Sequence, residues 1–167
     1  MPATDAKVVE DLKNAFAGES QANRKYLAFA QKADREGHPF AAKAFRAAAE
    51  AETIHAHSHL SLLDGVKSTA DNLKEAIGGE TFEFTKMYPE MIQHAKDAKD
   101  AHSERDFHLA NEAEKVHAEL FKKAAENMGK PAPALFVCKV CGYIAEGAVP
   151  ETCPICGGKH QVFFEVK

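Results

Sequence analysis

The sequence predicts an all-α four-helix bundle followed by a small β-rich metal-binding domain. Residues 5–128 carry apolar side chains mostly at three- and four-residue spacing, the pattern of amphipathic helices. The composition then changes, because residues 131–167 hold four of the seven prolines and four of the ten glycines. All four cysteines also lie there, between Cys138 and Cys156. We therefore expect two modules of different construction.

The first two helices have clear start and stop signals. Apolar positions predict a helix over about 5–36, with Thr4 as its N-cap and Gly37 as its stop. Pro39 follows, and proline is tolerated in the first turn of a helix. The second helix is predicted to run from Pro39 to about Asp64.

The second half of the helical part begins with a predicted short helix over about 70–77, capped by Ser68-Thr69 and ended by Gly78-Gly79. Long helices are predicted over about 80–100 and from Ser103 to about Met128. About fifteen residues would then separate the second long helix from the third. One long crossover of this kind is a feature of ferritin-like bundles.

The predicted domain organisation follows from these signals. Residues 1–129 form the bundle, residues 130–135 a linker and residues 136–167 the small domain. The linker contains Pro131 and Pro133, which exclude a regular helix. Alternating apolar residues in the tail predict short strands: Phe136, Val137, Val162, Phe163, Phe164 and Val166.

Composition narrows the classes of partner. The 167 residues are 45% apolar and 28% charged, as in ordinary soluble proteins. The formal net charge of −4 argues against nucleic acid or an anionic membrane as the main partner. No apolar run approaches the ~20 residues of a membrane span. The start, Met1-Pro2-Ala3-Thr4-Asp5, lacks the features of a signal peptide, so we expect a cytoplasmic protein.

The tail contains two cysteine pairs at metal-ligand spacing. Cys138 and Cys141 precede Gly142, and Cys153 and Cys156 precede Gly157. Two such knuckles form a closed tetrahedral S₄ site, which suits zinc or a single iron, and the spacing alone does not choose between them. A zinc ribbon that only stabilises itself is the structural alternative. A module this short needs the metal to fold.

The helical part contains the ligand pattern of a di-metal bundle. Such a site takes one glutamate from each of two helices and a Glu-x-x-His pair from each of the other two. The pairs are Glu52-x-x-His55 and Glu114-x-x-His117, and the single glutamates are Glu19 and Glu83. Glu19 precedes Glu52 by 33 residues, and Glu83 precedes Glu114 by 31. One pair is expected by chance, whereas two on alternate helices indicate a metal site.

Nearly the whole chain resembles rubrerythrins, which join a ferritin-like di-iron bundle to a rubredoxin-like tail. The resemblance rests on Ala17-Gly18-Glu19-Ser20-Gln21-Ala22, Glu52-x-x-His55, Met87-Tyr88-Pro89, Glu114-x-x-His117 and the two knuckles. It implies that Glu19, Glu52, His55, Glu83, Glu114 and His117 bind two irons. It also implies a third iron at Cys138, Cys141, Cys153 and Cys156, where the spacing by itself leaves zinc as a substitute.

The same resemblance implies a peroxidase that reduces hydrogen peroxide to water. Electrons would enter through the Cys₄ iron from a reductase or a rubredoxin. It further implies a homodimer in which the tail of one subunit serves the bundle of the other, since a short tail is not expected to fold back over its own bundle. Tyr26, two turns after Glu19, would bond to a ligand or to peroxide, or simply pack in the core.

If Glu83 is the ligand from the third long helix, Lys86 departs from the family pattern. Three positions later the family normally has a second glutamate, which exchanges with a histidine at one iron, and here Lys86 stands there. We therefore expect a six-ligand site in which His55 stays bound in both redox states. Lys86 would pair with Glu83 or Glu90, and Glu80 or Glu90 as a replacement ligand is the alternative.

Two other functions remain open from the sequence. A ferroxidase would use dioxygen to oxidise and store iron, although such a protein has no need of a Cys₄ electron port. A non-enzymatic protein would carry zinc in the tail and act as a metal-binding or interaction module.

Overall fold

The computed structural model describes residues 3–167. Met1 and Pro2, on which part of the signal-peptide argument rests, lie outside the described residues. The helices are α1 (Ala6–Arg35), α2 (Pro39–Leu62), α3 (Thr69–Phe82), α4 (Tyr88–Asp97) and α5 (Ala101–Glu126). The strands are β1 (Leu135–Cys138), β2 (Ile144–Glu146) and β3 (Phe163–Glu165). The predicted fold class, a mostly helical protein with a small C-terminal sheet, is confirmed.

The chain divides into two compact units, the first ending at Lys67 and the second spanning Ser68–Lys167. This division follows packing and does not test the domain limits 1–129, 130–135 and 136–167, which stay predictions. Each unit is described by itself. No helix within residues 3–167 is long and apolar enough to cross a membrane.

The first unit is the hairpin of α1 and α2. Asp5, rather than the predicted Thr4, caps α1, because its carboxylate accepts the backbone N–H groups of Lys7 and Val8 at 3.0 and 3.1 Å. Gly37 follows the helix with φ +77°, a conformation that glycine adopts without strain. Pro39 is the first residue of α2, as predicted.

Alanines line the contact between α1 and α2. The buried residues of the two helices are Ala30, Ala33, Ala42, Ala49 and Ala56. Small side chains let the two backbones approach closely, so a polar side chain can bridge them. The Asn23 amide donates to the Ala49 carbonyl at 2.7 Å and to the Thr53 hydroxyl at 2.8 Å. This cross-link holds Glu19, four residues before Asn23, and Glu52 in a fixed relation.

In the second unit, the predicted end of a helix at Gly78-Gly79 is wrong. Ser68 caps α3 as expected, accepting the Asp71 N–H at 3.2 Å, but α3 then continues through both glycines to Phe82. Each glycine costs about 1 kcal/mol relative to alanine in a helix. Packing of α3 on α5 offsets that cost. The connection between α2 and α3 is therefore residues 63–68, not the fifteen expected.

A π-helical turn, Glu83–Met87, joins α3 to α4 without a break. The Tyr88 N–H bonds to the Glu83 carbonyl five residues earlier instead of four. The turn thus contains one extra residue. In a regular α-helix Met87, seven residues after Glu80, would lie on the same helix face as Glu80. Because of the extra residue, Tyr88 takes that position instead.

The tail forms a three-stranded antiparallel sheet in the order β2-β1-β3. Phe136 is paired with Ala145 in β2, and Val137 with Phe164 in β3. The strands predicted from the apolar alternation at 136–137 and 162–166 are therefore present. The sheet carries the first cysteine knuckle between β1 and β2.

Candidate metal centres

The first unit brings Glu19, Glu52 and His55 together. One ligand atom from each lies within 4.8 Å of the other two. His55 Nδ1 is 2.9 Å from Glu52 Oε2, as expected for residues one helical turn apart. The imidazole remains open to solvent, with 56% of the His55 side chain exposed.

The second unit brings Glu80, Glu114 and His117 together, again with one ligand atom of each residue within 4.8 Å of the other two. His117 Nδ1 lies 2.6 Å from Glu114 Oε2 and 3.7 Å from Glu80 Oε2. This cluster is more enclosed than the first, because only 19% of the His117 side chain is exposed. Each unit therefore carries three of the ligand types that a di-metal site needs.

The third-helix carboxylate in this cluster is Glu80, whereas the sequence predicted Glu83. The two residues are three positions apart and share a helix face, so apolar periodicity does not distinguish them. The repeat separation does carry a signal. Glu80 precedes Glu114 by 34 residues, which is closer than 31 to the 33 residues from Glu19 to Glu52. The role of Glu83 stays a prediction.

The chemistry of the Glu80 carboxyl fits a cation ligand. Burial, followed by a hydrogen bond from the protonated Glu80 carboxyl to Glu114 and by the charge of Glu114, raises the pKa of Glu80 to about 7. Among residues 3–167, no hydrogen-bond partner satisfies the buried Glu80 Oε2. Burial, followed by the charge of Glu80, also raises the pKa of Glu83. A bound divalent cation would relieve both effects, so these residues fit the metal that the ligand pattern predicts.

Tyr88 lies near several carboxylates of the second unit. Burial raises the pKa of its hydroxyl, and the charges of Glu114 and Glu83 raise it further. Tyr26 packs in an aromatic group, with ring centroids 6.4 Å from Phe29 and 6.2 Å from Phe45. This setting favours the core role that the sequence left open for Tyr26.

Lys86 makes none of the predicted ion pairs. It lies exposed in the π-helical turn, and no salt bridge found within residues 3–167 includes it. The expectation that Lys86 pairs with one of these glutamates is therefore wrong.

The four cysteines of the tail converge on one point. The Sγ atoms of Cys138 and Cys156 lie 3.6 Å apart, and so do those of Cys141 and Cys153. A tetrahedral ion with bonds of about 2.3 Å to sulfur requires similar separations, so the thiols fit a single tetrahedral ion. Gly142 and Gly157 have φ values of +79° and +76°, so each knuckle turns back at its glycine.

The knuckle backbone also favours a thiolate. Burial alone would raise the pKa of Cys138, but the backbone N–H groups of Cys141 and Val140 point at its sulfur and lower the pKa overall. Burial raises the pKa of Cys141. Cys138 and Cys141 therefore ionise unequally in the absence of a cation, and a bound metal would hold both as thiolates.

The tail docks on α5 of its own chain. Lys123 Nζ lies 2.6 Å from Glu146 Oε1 in β2, and His117 Nε2 lies 2.9 Å from the Gly142 carbonyl oxygen. The sequence-based expectation that a short tail does not fold back over its own helices is wrong for α5. The linker of residues 130–134 is long enough to return the chain alongside the helix it has just left.

Two carboxylate–histidine clusters on long helices and a Cys₄ knuckle site define a class of metal-binding protein with hard and soft ligand sets in one chain. The chain matches the model of the Rubrerythrin family over residues 10–125. It also matches the model of the rubrerythrin rubredoxin-like domain over residues 136–164. The chain therefore belongs to the rubrerythrin family of di-iron proteins.

Known relatives span almost the full chain. Rubrerythrin-2 of Clostridium acetobutylicum is 34% identical over 98% of each protein. Nigerythrin of Nitratidesulfovibrio vulgaris is also 34% identical, over 89% of this chain and 81% of its own. A solved structure of nigerythrin in a partially reduced state has a TM-score of 0.59 at 32% identity, covering 98% of this chain and 89% of that one. These similarities support iron binding at both kinds of site.

Proposed function

We propose that this protein is a di-iron peroxidase that reduces hydrogen peroxide to water, with electrons entering through a Cys₄ iron. The observation that carries the proposal is the contact between the two kinds of site. A ligand histidine of the carboxylate cluster, His117, is hydrogen-bonded to Gly142 of the cysteine knuckle. A storage protein would not need a soft-ligand electron site built against its hard-ligand site.

We assign seven groups to the di-iron centre: Glu19, Glu52, His55, Glu80, Glu83, Glu114 and His117. With Glu80 as the third-helix ligand, the residue three positions later is Glu83, so a second glutamate does stand in the family's extra position. Lys86 then no longer marks a departure. The reason for expecting a symmetric six-ligand site with a permanently bound His55 is removed.

When bound, two ferrous ions would supply the two electrons that cleave the peroxide O–O bond, and a single Cys₄ iron would replace those electrons one at a time. The overall reaction consumes one peroxide, two electrons and two protons and yields two waters. Tyr88 keeps its hydroxyl proton because burial, and then the charges of neighbouring carboxylates, raise its pKa, so it can donate a hydrogen bond to a ligand or to peroxide. Partial burial of Glu80, Glu114 and His117 limits access of bulk water.

The partners and cofactors follow from this proposal. We infer three irons per chain, zinc as a substitute at the Cys₄ site, and a reductase or a rubredoxin as electron donor. A homodimer remains our proposal. Neither nucleic acid nor a membrane is part of the proposed function, and the cytoplasm is its proposed location.

Metal analysis and visible spectroscopy of anaerobically purified full-length protein test the proposal. We expect three irons per chain and a red Cys₄ chromophore that bleaches on reduction and returns with hydrogen peroxide. In Glu114→Ala the colour should remain while its return with peroxide slows strongly, because the cluster loses a ligand but the knuckle does not. Colourless protein with zinc in the tail would contradict the proposal. Faster return of colour with dioxygen than with peroxide would favour the ferroxidase.

A further inference from the structure

The two ring nitrogens of His117 have different partners. Nε2 lies 2.9 Å from the Gly142 carbonyl oxygen, and a carbonyl can only accept a hydrogen bond. Nε2 must therefore carry a proton and donate it. Nδ1 faces the carboxylates of Glu114 and Glu80, at 2.6 and 3.7 Å. The protein thus directs Nδ1, not Nε2, to the cluster.

The position of the accepting carbonyl is set by the cysteine knuckle. Gly142 directly follows Cys141, has φ +79°, and donates its N–H to the Cys138 carbonyl at 3.0 Å. A Cβ on Gly142 would lie 4.0 Å from the Ala113 Cβ, so the knuckle backbone rests directly on α5. Because a module this small needs its metal to fold, the carbonyl is in place only when the knuckle is loaded.

The other ligand histidine has no such support. His55 Nδ1 lies 2.9 Å from Glu52, as in the second pair, but 56% of the His55 side chain is exposed. Within residues 3–167 no hydrogen bond to its Nε2 is found. The two Glu-x-x-His pairs are therefore alike in spacing and different in what holds the imidazole.

We propose that the Gly142 carbonyl is a positioning group for the carboxylate cluster, so that metal affinity at Glu80, Glu114 and His117 depends on a folded Cys₄ knuckle in the same chain. When a metal occupies the knuckle, the Gly142 carbonyl orients the His117 ring and keeps a proton on Nε2. Nδ1 is then free to bind a metal at the carboxylate cluster. Groups that hold a ligand histidine in this way typically change metal affinity by about 10–100-fold. The proposal rests on the metal-binding part of the proposed function.

A matched pair of variants isolates the carbonyl. Gly142 and Gly147 have the same φ, +79°, so valine strains the backbone equally at both positions. At residue 142 a Cβ would already lie 4.0 Å from the Ala113 Cβ, so we expect the further bulk of valine to push the knuckle away from α5, whereas nothing lies within 4 Å of a Cβ on Gly147. Gly142→Val therefore tests the contact, and Gly147→Val controls for strain in the knuckle domain.

The experiment uses the full chain with Zn²⁺ in the knuckle, its occupancy checked by metal analysis. Nitrogen-15 NMR of the histidine rings at about pH 8.5 reports the tautomer, with His117→Gln providing the assignment. We expect a protonated Nε2 that donates to the Gly142 carbonyl for His117 in the wild type and in Gly147→Val, and loss of this hydrogen bond in Gly142→Val. Co²⁺ titration of the carboxylate cluster should show affinity at least about tenfold weaker in Gly142→Val than in Gly147→Val.

Two results would overturn the proposal: an unprotonated Nε2 of His117 in the wild type, or equal Co²⁺ affinities in the two variants. If Gly142→Val fails to fold, Cys138→Ser/Cys156→Ser removes the knuckle metal instead, and His117 should then lose its Nε2–H preference while His55 does not change. Failure of the proposed function gives a different result from failure of this proposal. If the cluster is not a metal site, wild-type protein binds no Co²⁺ there, and the NMR of His117 still tests the hydrogen bond to Gly142.

Discussion

His117 Nδ1 lies 2.6 Å from Oε2 of Glu114, the residue one helical turn before it. The corresponding atoms of His55 and Glu52 are 2.9 Å apart in the other unit. The same local geometry therefore occurs twice, once in each helical hairpin. The duplicated spacing of the sequence is reflected in two copies of one ligand arrangement, which differ in how far the histidine is buried.

Glu80 should matter more for metal binding than the exposed carboxylate of Glu90. In Glu80→Gln the second cluster loses a charged ligand, and we expect iron or Co²⁺ affinity to fall by at least about tenfold. Glu90→Gln is the matched control, since Glu90 lies exposed in α4. Equilibrium Co²⁺ titrations of the two variants measure the difference. Similar affinities in both would remove Glu80 from the ligand set.

The raised pKa of Glu80 makes the stability of the metal-free protein depend on pH. The folded pKa of about 7 exceeds the ordinary value of 4.5, so between these values the folded state holds a proton that the unfolded chain has lost. The free energy of unfolding contributed by Glu80 therefore falls as pH rises from about 4.5 to 7. Urea unfolding of wild type and Glu80→Gln should diverge across this window, and parallel curves would refute the assignment.

The same proton should appear when metal binds. At pH 6 the Glu80 carboxyl is mostly protonated and must ionise to become a ligand, whereas at pH 8 it is already ionised. We expect about one more proton released per cluster at pH 6 than at pH 8. Calorimetry in two buffers of different ionisation enthalpy counts the protons, with Glu80→Gln as the reference. An equal count at both pH values contradicts the prediction.

Oxidised and reduced crystals should differ at His55 and agree at His117. The His117 ring is held through Nε2 by Gly142 and is mostly buried, while the His55 ring is largely exposed. With Glu83 in the extra position, the exchange of a carboxylate and a histidine implied by the family resemblance falls on His55. Movement of His117, with His55 fixed in both states, would contradict this expectation.

Removing the knuckle metal should unfold the tail and spare the long helices. The sheet of β1, β2 and β3 has too few buried side chains to be stable without its metal. The helices α1 and α2 pack on each other through buried alanines, and this packing does not involve the sheet. A chelator should therefore abolish amide signals of residues 135–165 while most of the helical circular dichroism remains. A sheet that persists in metal-free protein would show that its own core is sufficient.

Local signals in the sequence predicted most of the fold. Gly37, Pro39 and Ser68 act at the helix ends where they were expected, because caps and stops depend on neighbouring residues. The break at Gly78-Gly79 was wrong because packing on α5 offsets the low helix propensity of glycine. Local chemistry at these two residues gives no information about that packing.

The candidate site was predictable in its ligand types and less so in its details. Each Glu-x-x-His pair lies beside a further glutamate within its own unit, and the four cysteines converge, since local spacing fixes these geometries. Glu80 was not chosen over Glu83 because both lie on one helix face. The contact of Gly142 with His117 joins residues 25 apart through tertiary packing, which no pattern along the chain records.

The π-helical turn at Glu83–Met87 also bears on how this chain could have evolved. Deletion of any one residue there would restore a regular helix and rotate everything after it by about 100°. Tyr88 would leave the carboxylates, and its ring contact with Phe107 in α5, at 6.4 Å between centroids, would be lost. Insertions and deletions in this segment are therefore tolerable only in compensating pairs, so its length should be more constrained than the identity of most of its residues.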